Sequence, residues 1–139
     1  MTIKTDHIRL KTKGSTDIIN ITDEVAGIVE RYGLDQGQVT VFVGGSTGGI
    51  TTIEYEPGLL QDLPETLEQI APVGKTYHHD RTWGDGNGHS HIRSALVGPS
   101  LTVPFAAGKL LLGTWQQIVL LDFDNRPRSR EIVVQVIGE

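Results

Sequence analysis

Apolar residues recur along the chain with two different periods, and the switches between them divide it into elements. From Thr5 to Thr12 apolar and polar residues alternate loosely, as on a strand with one covered face. Lys13-Gly14-Ser15-Thr16 then supplies a turn. Val25, Ile28, Val29 and Tyr32 fall at i, i+3, i+4 and i+7, which is one face of a helix. Thr22 is placed to cap that helix, Asp23 and Glu24 suit the positive end of its dipole, and Gly33 stops it.

Gln38–Val43 is β-branched and aromatic and reads as a buried strand, and strand character resumes from Ile50 to Tyr55 after the run Gly44–Gly49. Leu59, Leu60, Leu63, Leu67 and Ile70 mark a second helix within Pro57–Ile70. It starts either near Pro57 or at Pro64, with Asp62 as cap. Gly74–Asn87 is polar and ends in the loop Gly84-Asp85-Gly86-Asn87-Gly88. Four strands are expected next: Ser90–Leu96, Ser100–Pro104, Lys109–Leu112 and Trp115–Asp122, with Ala106-Ala107-Gly108 turning the middle pair. A turn at Asp124–Pro127 precedes a last strand, Glu131–Ile137. The pattern predicts an α+β fold, a single domain over residues 1–139 with mostly antiparallel sheet and two helices.

Composition narrows the function classes. A chain of 139 residues buries roughly two-thirds of the surface it exposes when unfolded, enough for a core without staples. It has no cysteine, so disulfides and thiolate metal sites are excluded, and histidine and carboxylate are the strong metal ligands left. A net charge of −5 argues against nucleic acid and anionic membranes as partners. No apolar run approaches the length of a membrane span, and the N-terminus lacks the apolar stretch of a signal peptide, which predicts a cytoplasmic location.

Four of the five histidines, His78, His79, His89 and His91, lie within fourteen positions. On a strand, residues two apart share a face about 6–7 Å apart, so His89 and His91 would converge on one ion. Three imidazoles leave a fourth coordination place open for water or substrate. An isolated H-x-H is more often a solvated pair; here a second pair precedes a loop long enough to fold back, which brings the metal reading level with the solvated one. His78 and His79 would face opposite ways, and the local pattern does not choose between them. His7 reads as an ordinary strand side chain.

Glu54 would face away from the core if Ile53 and Tyr55 face it. That suits a ligand or a general base, although by the local pattern alone an exposed strand carboxylate is the better reading. Gly44–Gly49 matches no phosphate-binding fingerprint and reads as a connection, although such a loop presents backbone N–H groups to an oxyanion. Arg126, Arg128 and Arg130 flank a turn, as solvated charges or as forks for phosphate or carboxylate. Trp115 is expected in core or interface packing, and Gln116 needs a partner if buried.

Several stretches together resemble the YjbQ-like family, also labelled secondary thiamine-phosphate synthase. They are Ser100-Leu-Thr-Val-Pro-Phe-Ala-Ala-Gly108 followed by Lys-Leu-Leu-Leu-Gly113-Thr114-Trp115-Gln116-Gln-Ile118, Tyr77-x-His79-Asp80, Asn87-Gly-His89-Ser-His91-Ile, Ser46-Thr47-Gly-Gly-Ile50-Thr-Thr-Ile-Glu54, and Pro127-Arg-Ser-Arg130. The likeness covers nearly the whole chain. It implies a compact α+β fold, a homotrimer, and a divalent metal, zinc or alternatively magnesium, held by histidines.

Carried over residue by residue, the resemblance points to His79 and His91 as ligands and chooses His79 over His78. His89 stands where only some members have histidine, and it completes a three-histidine set. Glu54, Gln116 and Arg130 become candidate catalytic residues, and Ser46, Thr47, Asn87 and Thr114 candidate substrate-binding ones. The implied chemistry is a metal-dependent transferase that acts on a small phosphorylated metabolite, with thiamine-phosphate synthase as a side or low-level activity. The alternatives are a zinc-dependent hydrolase with Glu54 as general base and a non-catalytic metal- or metabolite-binding trimer.

Overall fold

The computed structural model describes residues 1–139. Its elements are β1 (Thr2–Thr12), β2 (Asp17–Asn20), α1 (Thr22–Tyr32), β3 (Gln36–Val43), β4 (Gly48–Ile53), α2 (Pro57–Ile70), α3 (Asp80–Trp83), α4 (Gly88–Val97), β5 (Ser100–Ala106), β6 (Lys109–Leu110), β7 (Gln117–Asp122) and β8 (Arg128–Gly138). The strands form two antiparallel sheets, one ordered β1-β8-β3-β5-β6 and the other β2-β7-β4. The expected α+β class with mostly antiparallel sheet stands.

Alternation explains the larger sheet. Val39, Val41 and Val43 of β3 and Ile132, Val134 and Val136 of β8 all point inward and are fully buried, while the residues between them face out. They meet Ile21, Val25, Ile28 and Val29 of α1 and Ile118 and Leu120 of β7 in one core. The other face of β7 carries Val119 and Leu121, which join Phe123 and Leu67 of α2 in a smaller cluster. With both faces covered, β7 is apolar from Ile118 to Leu121 instead of alternating.

Several expectations change. Thr22 is the first helical residue of α1 instead of its cap; Asn20 Oδ1 accepts from the Thr22 amide at 3.0 Å and from its hydroxyl at 2.7 Å. Gly33 does end the helix, in the left-handed conformation. Of the two possible starts, α2 begins at Pro57, with Glu56 accepting from the Gly58 amide at 2.8 Å and also from that of Leu59, and Pro64 lies inside the helix. The strand expected from Trp115 begins at Gln117, and Trp115 is exposed on a turn instead of packed in the core.

The largest correction is at Ser90–Leu96, which is not a strand. Residues Gly88–Val97 form α4, so the chain has four helices where two were expected. The buried residues of α4, namely Gly88, His89, Ser90, Arg93 and Ser94, follow helical spacing but are small or polar, whereas Ile92 and Leu96 are exposed. An inward face of this kind carries no apolar stripe for sequence reading to detect. Ser94 Oγ donates to Gly48 O at 2.5 Å, and Arg93 reaches Ala71 O and Thr16 Oγ1. The helix runs so close to β4 that a Cβ on Gly49 would stand 2.9 Å from Val97 Cγ1 and 3.2 Å from Gly98 O. No helix is long and apolar enough to cross a membrane.

Candidate functional site

One end of the β4–β7 pair is built from buried charge. Asp122, the last residue of β7, and Asp124 are wholly buried. Arg130 forks onto Asp122, with Nε donating to Oδ2 and Nη2 to Oδ1, both at 2.8 Å. Thr12 Oγ1 donates to the same carboxylate at 2.5 Å. Arg128 Nε donates to Asp124 Oδ2 at 2.7 Å. Thr47 joins the two pairs, accepting from Arg130 Nη2 at 2.7 Å and donating to Asp124 Oδ2 at 3.3 Å.

Burial pushes both carboxyls up, and their partners overcome it. The Arg130 guanidinium, Thr12 hydroxyl and Asp124 amide leave Asp122 below its ordinary range. The Arg128 guanidinium, the Asn125 amide and the Asn87 side chain do the same for Asp124. Both aspartates are therefore ionised, and the arginines are fixed in place before any ligand arrives.

Above this floor lies an open cleft of about 440 Å³. The loop Gly45-Ser46-Thr47 and the guanidiniums of Arg128 and Arg130 form one side. The other comes from the 79–91 segment: His79, Trp83, Asp85, Asn87 and His91. Gly45 has φ +101, and a Cβ there would stand 3.2 Å from Arg130 Nη1, so glycine lets the backbone lie against that guanidinium. The Asp80 carboxylate closes the segment by accepting from the Tyr77 amide at 3.0 Å and the Gly88 amide at 3.2 Å. The Tyr77 contact above all, opposed by desolvation and helped by Gly88, holds the carboxyl below its usual value.

His79 and His91 meet in this cleft, with ring centroids 4.2 Å apart and planes tilted by 50°. Burial, and then the neighbouring His79, lower the pKa of His91 and favour its neutral form. His79 Nε2 is buried and has no hydrogen-bond partner. Two adjacent imidazoles, one with a buried ring nitrogen that no protein group engages, fit a transition-series cation. Of the expected ligands these two are brought together.

His89 is not gathered with them. Positions two apart on a helix diverge by about 200°, whereas on a strand they would have aligned. His89 is buried against its neighbours instead, with Nε2 3.3 Å from Ser90 Oγ. Burial, and then the Arg93 cation, push its pKa down. No three histidine or carboxylate side chains converge anywhere in the chain, so the three-histidine cluster is not formed.

The remaining candidates separate by position. Ser46, Thr47, Asn87 and Arg130 line the cleft with His79 and His91. Glu54, Thr114 and Gln116 stand elsewhere. The register pairs Gly48 with Asp122 at one end and Ile53 with Gln117 at the other, five residues or roughly 17 Å along the strand. Glu54 follows Ile53 and is exposed; Gln116 precedes Gln117 and accepts from the Gly113 amide at 2.8 Å, which pins the turn that bears Thr114 and Trp115. Within one chain these three residues do not reach the histidine cleft.

Sequence reading missed Arg93, Asp122, Asp124, Trp83 and Asp85. The aspartates sit at the end of an apolar strand, where a D-x-D pattern was the available signal. A larger cleft of about 570 Å³, between α1 and the β5–β6 turn, gathers no comparable set of polar groups.

The family model described as UPF0047 protein YjbQ-like matches residues 6–139. The chain belongs to the YjbQ-like family. A UPF0047 protein from Archaeoglobus fulgidus is 42% identical over 130 residues, covering 94% of this chain and 98% of that relative. One from Methanothermobacter thermautotrophicus is 39% identical over 139 residues, covering all of this chain and 95% of the other. Among solved structures, a YbjQ-like protein of unknown function from Sulfolobus solfataricus superposes with TM-score 0.94 at 32% identity, covering 99% of both chains. A YjbQ/UPF0047 family protein from Clostridium acetobutylicum gives TM-score 0.87 at 34% identity, covering 95% of this chain and 99% of the other. These likenesses establish YjbQ-like membership and fold.

Proposed function

We propose that the protein is a metal-dependent enzyme that acts on a small phosphorylated metabolite in the cleft between His79, His91 and Arg130. The observation that carries this reading is the unpartnered His79 Nε2, set beside His91 in a cleft floored by guanidiniums. His79 and His91 would hold the cation, zinc in preference to magnesium because imidazole is the softer ligand. When bound, it would supply Lewis-acid neutralisation of phosphate oxygens.

The chain's own groups do the rest. Arg130 and Arg128, immobilised by Asp122 and Asp124, can donate to phosphate oxygens without being reordered. The Gly45–Thr47 backbone can add further donors. The named reaction to assay is thiamine-phosphate synthase at side or low level. In it a thiazole nitrogen bonds to the pyrimidine methyl carbon, the carbon–oxygen bond to diphosphate breaks, and pyrophosphate leaves. Assay of the purified protein with both precursors, with zinc, with magnesium and with neither, should yield thiamine phosphate. No product under any condition removes this reaction.

Glu54 as general base is not favoured, because β4 carries it to the opposite end of the sheet from the histidines. Self-association into a homotrimer, by contrast, is supported by the large apolar side chains of Leu111 and Trp115, left in the open on the 111–116 turn.

A further inference from the structure

Three buried side-chain polar atoms in the chain have no hydrogen-bond partner: His79 Nε2, Asn87 Oδ1 and His89 Nδ1. Buried polar groups are nearly always satisfied, so each such atom calls for a missing partner. Two of the three, on His79 and Asn87, belong to the same cleft.

Asn87 is 5% exposed. Its side chain is among the partners of the buried Asp124 carboxylate. Oδ1 is the end of the Asn87 side-chain amide that finds no partner. Asn87 also immediately precedes α4, four residues before His91, whose amide bonds to Asn87 O at 3.3 Å. That spacing puts the two side chains on one side of the helix, one turn apart. The cleft thus collects an imidazole nitrogen and an amide oxygen, neither with a hydrogen-bond partner, beside a second imidazole. A water molecule can donate to two such atoms, whereas a cation can take a lone pair from both and from the second imidazole at once.

We propose that Asn87 Oδ1 joins His79 and His91 in a site of two nitrogens and one oxygen for a divalent transition-series cation, and that His89 is not a ligand. The inference rests on the metal reading above and changes its ligand set. All three ligands are neutral, so the cation keeps its full charge toward the open side of the cleft, which selects anionic ligands next to Arg128 and Arg130.

The test is titration of the metal-free full-length protein with zinc chloride and with cobalt chloride, read by calorimetry, elemental analysis and the visible cobalt spectrum. Circular dichroism and melting curves check the fold of every variant. The wild type should bind one zinc per chain. His79→Ala and His91→Ala should lose it, and Asn87→Ala should weaken it about tenfold or more. Asn87→Asp should retain the ion with an altered cobalt spectrum, a change that a merely structural asparagine would not cause. Folded His89→Gln should bind as the wild type does.

Wild-type protein that takes up neither metal would sink the metal reading itself and leave Asn87 as the lining of a water-filled cleft. Zinc binding abolished in His79→Ala and His91→Ala but unchanged in folded Asn87→Ala would overturn this inference alone. So would loss of zinc from folded His89→Gln.

Discussion

The two ends of the β4–β7 pair are chemically opposite. At the Gly48–Asp122 end, charges are buried, paired and cross-linked: Asp122, Asp124, Arg130 and Thr47 leave almost no polar atom idle except those facing the cleft. At the Ile53–Gln117 end, Glu54, Trp115 and Gln116 are exposed, and Gln116 holds the turn by accepting from the Gly113 amide and donating to Thr52 Oγ1 at 3.5 Å. The first end is an ordered polar cleft. The second leaves its large side chains open to solvent. Resemblance to the family marks residues at both ends alike, and burial and satisfaction of hydrogen bonds tell them apart.

The sharpest way to break this contrast is Asp122→Ala. It leaves the Arg130 guanidinium, whose side chain is 10% exposed, without its counter-charge, and should destabilise the fold by about 3–5 kcal/mol in urea unfolding. A loss below about 1 kcal/mol would mean that the pair is solvated and the end is not preorganised.

Acid should act on the same groups. The folded pKa values of Asp122 and Asp124 lie below the ordinary 3.8. The unfolded chain then binds more protons than the folded one as pH drops. The stability these carboxylates contribute is complete above pH about 4 and is lost as pH falls through their folded values. In Asp122→Asn, stability measured from pH 6 down to pH 2 should fall less steeply than in the wild type.

Gly49→Ala probes the packing of α4 on β4. The added methyl meets Val97 Cγ1 at 2.9 Å, and the expected cost is about 1–3 kcal/mol, with a lower melting temperature. Substitutions at the far end should barely register in folding. Trp115→Ala and Glu54→Gln should each change unfolding free energy by less than about 0.5 kcal/mol. Trp115→Ala should nevertheless weaken self-association in sedimentation velocity, and Glu54→Gln should leave zinc stoichiometry intact. A Trp115→Ala protein that associates as the wild type does would remove the far end as the contact surface.

Much of the frame was legible before any coordinates. The β-branched run Gln38–Val43, the last strand Glu131–Ile137 and the spacing of Val25, Ile28, Val29 and Tyr32 were readable because their apolar sides face one core. The cleft was legible in part: His79, His91, Ser46, Thr47, Asn87 and Arg130 do come together. His89 was misplaced because H-x-H was read with the period of a strand, and α4 offers no apolar stripe to betray its helical period. Arg93 hid for the same reason, an arginine turned inward to Ala71 O and Thr16.

By itself the sequence settled the fold class, the main strands and the end of α1 at Gly33, and its lack of cysteine excluded thiolate metal sites. Those follow from local periodicity, backbone freedom and composition, which act over a few residues. Only the tertiary structure decided that Thr12, Thr47, Asp122 and Arg130 form one ion-paired floor, that His91 enters the cleft while His89 leaves it, and that Glu54 and Gln116 stand about a strand's length away. Such choices depend on which distant segments share a dry interior, and one rotation of 100° per residue along α4 is enough to send neighbouring side chains to different fates.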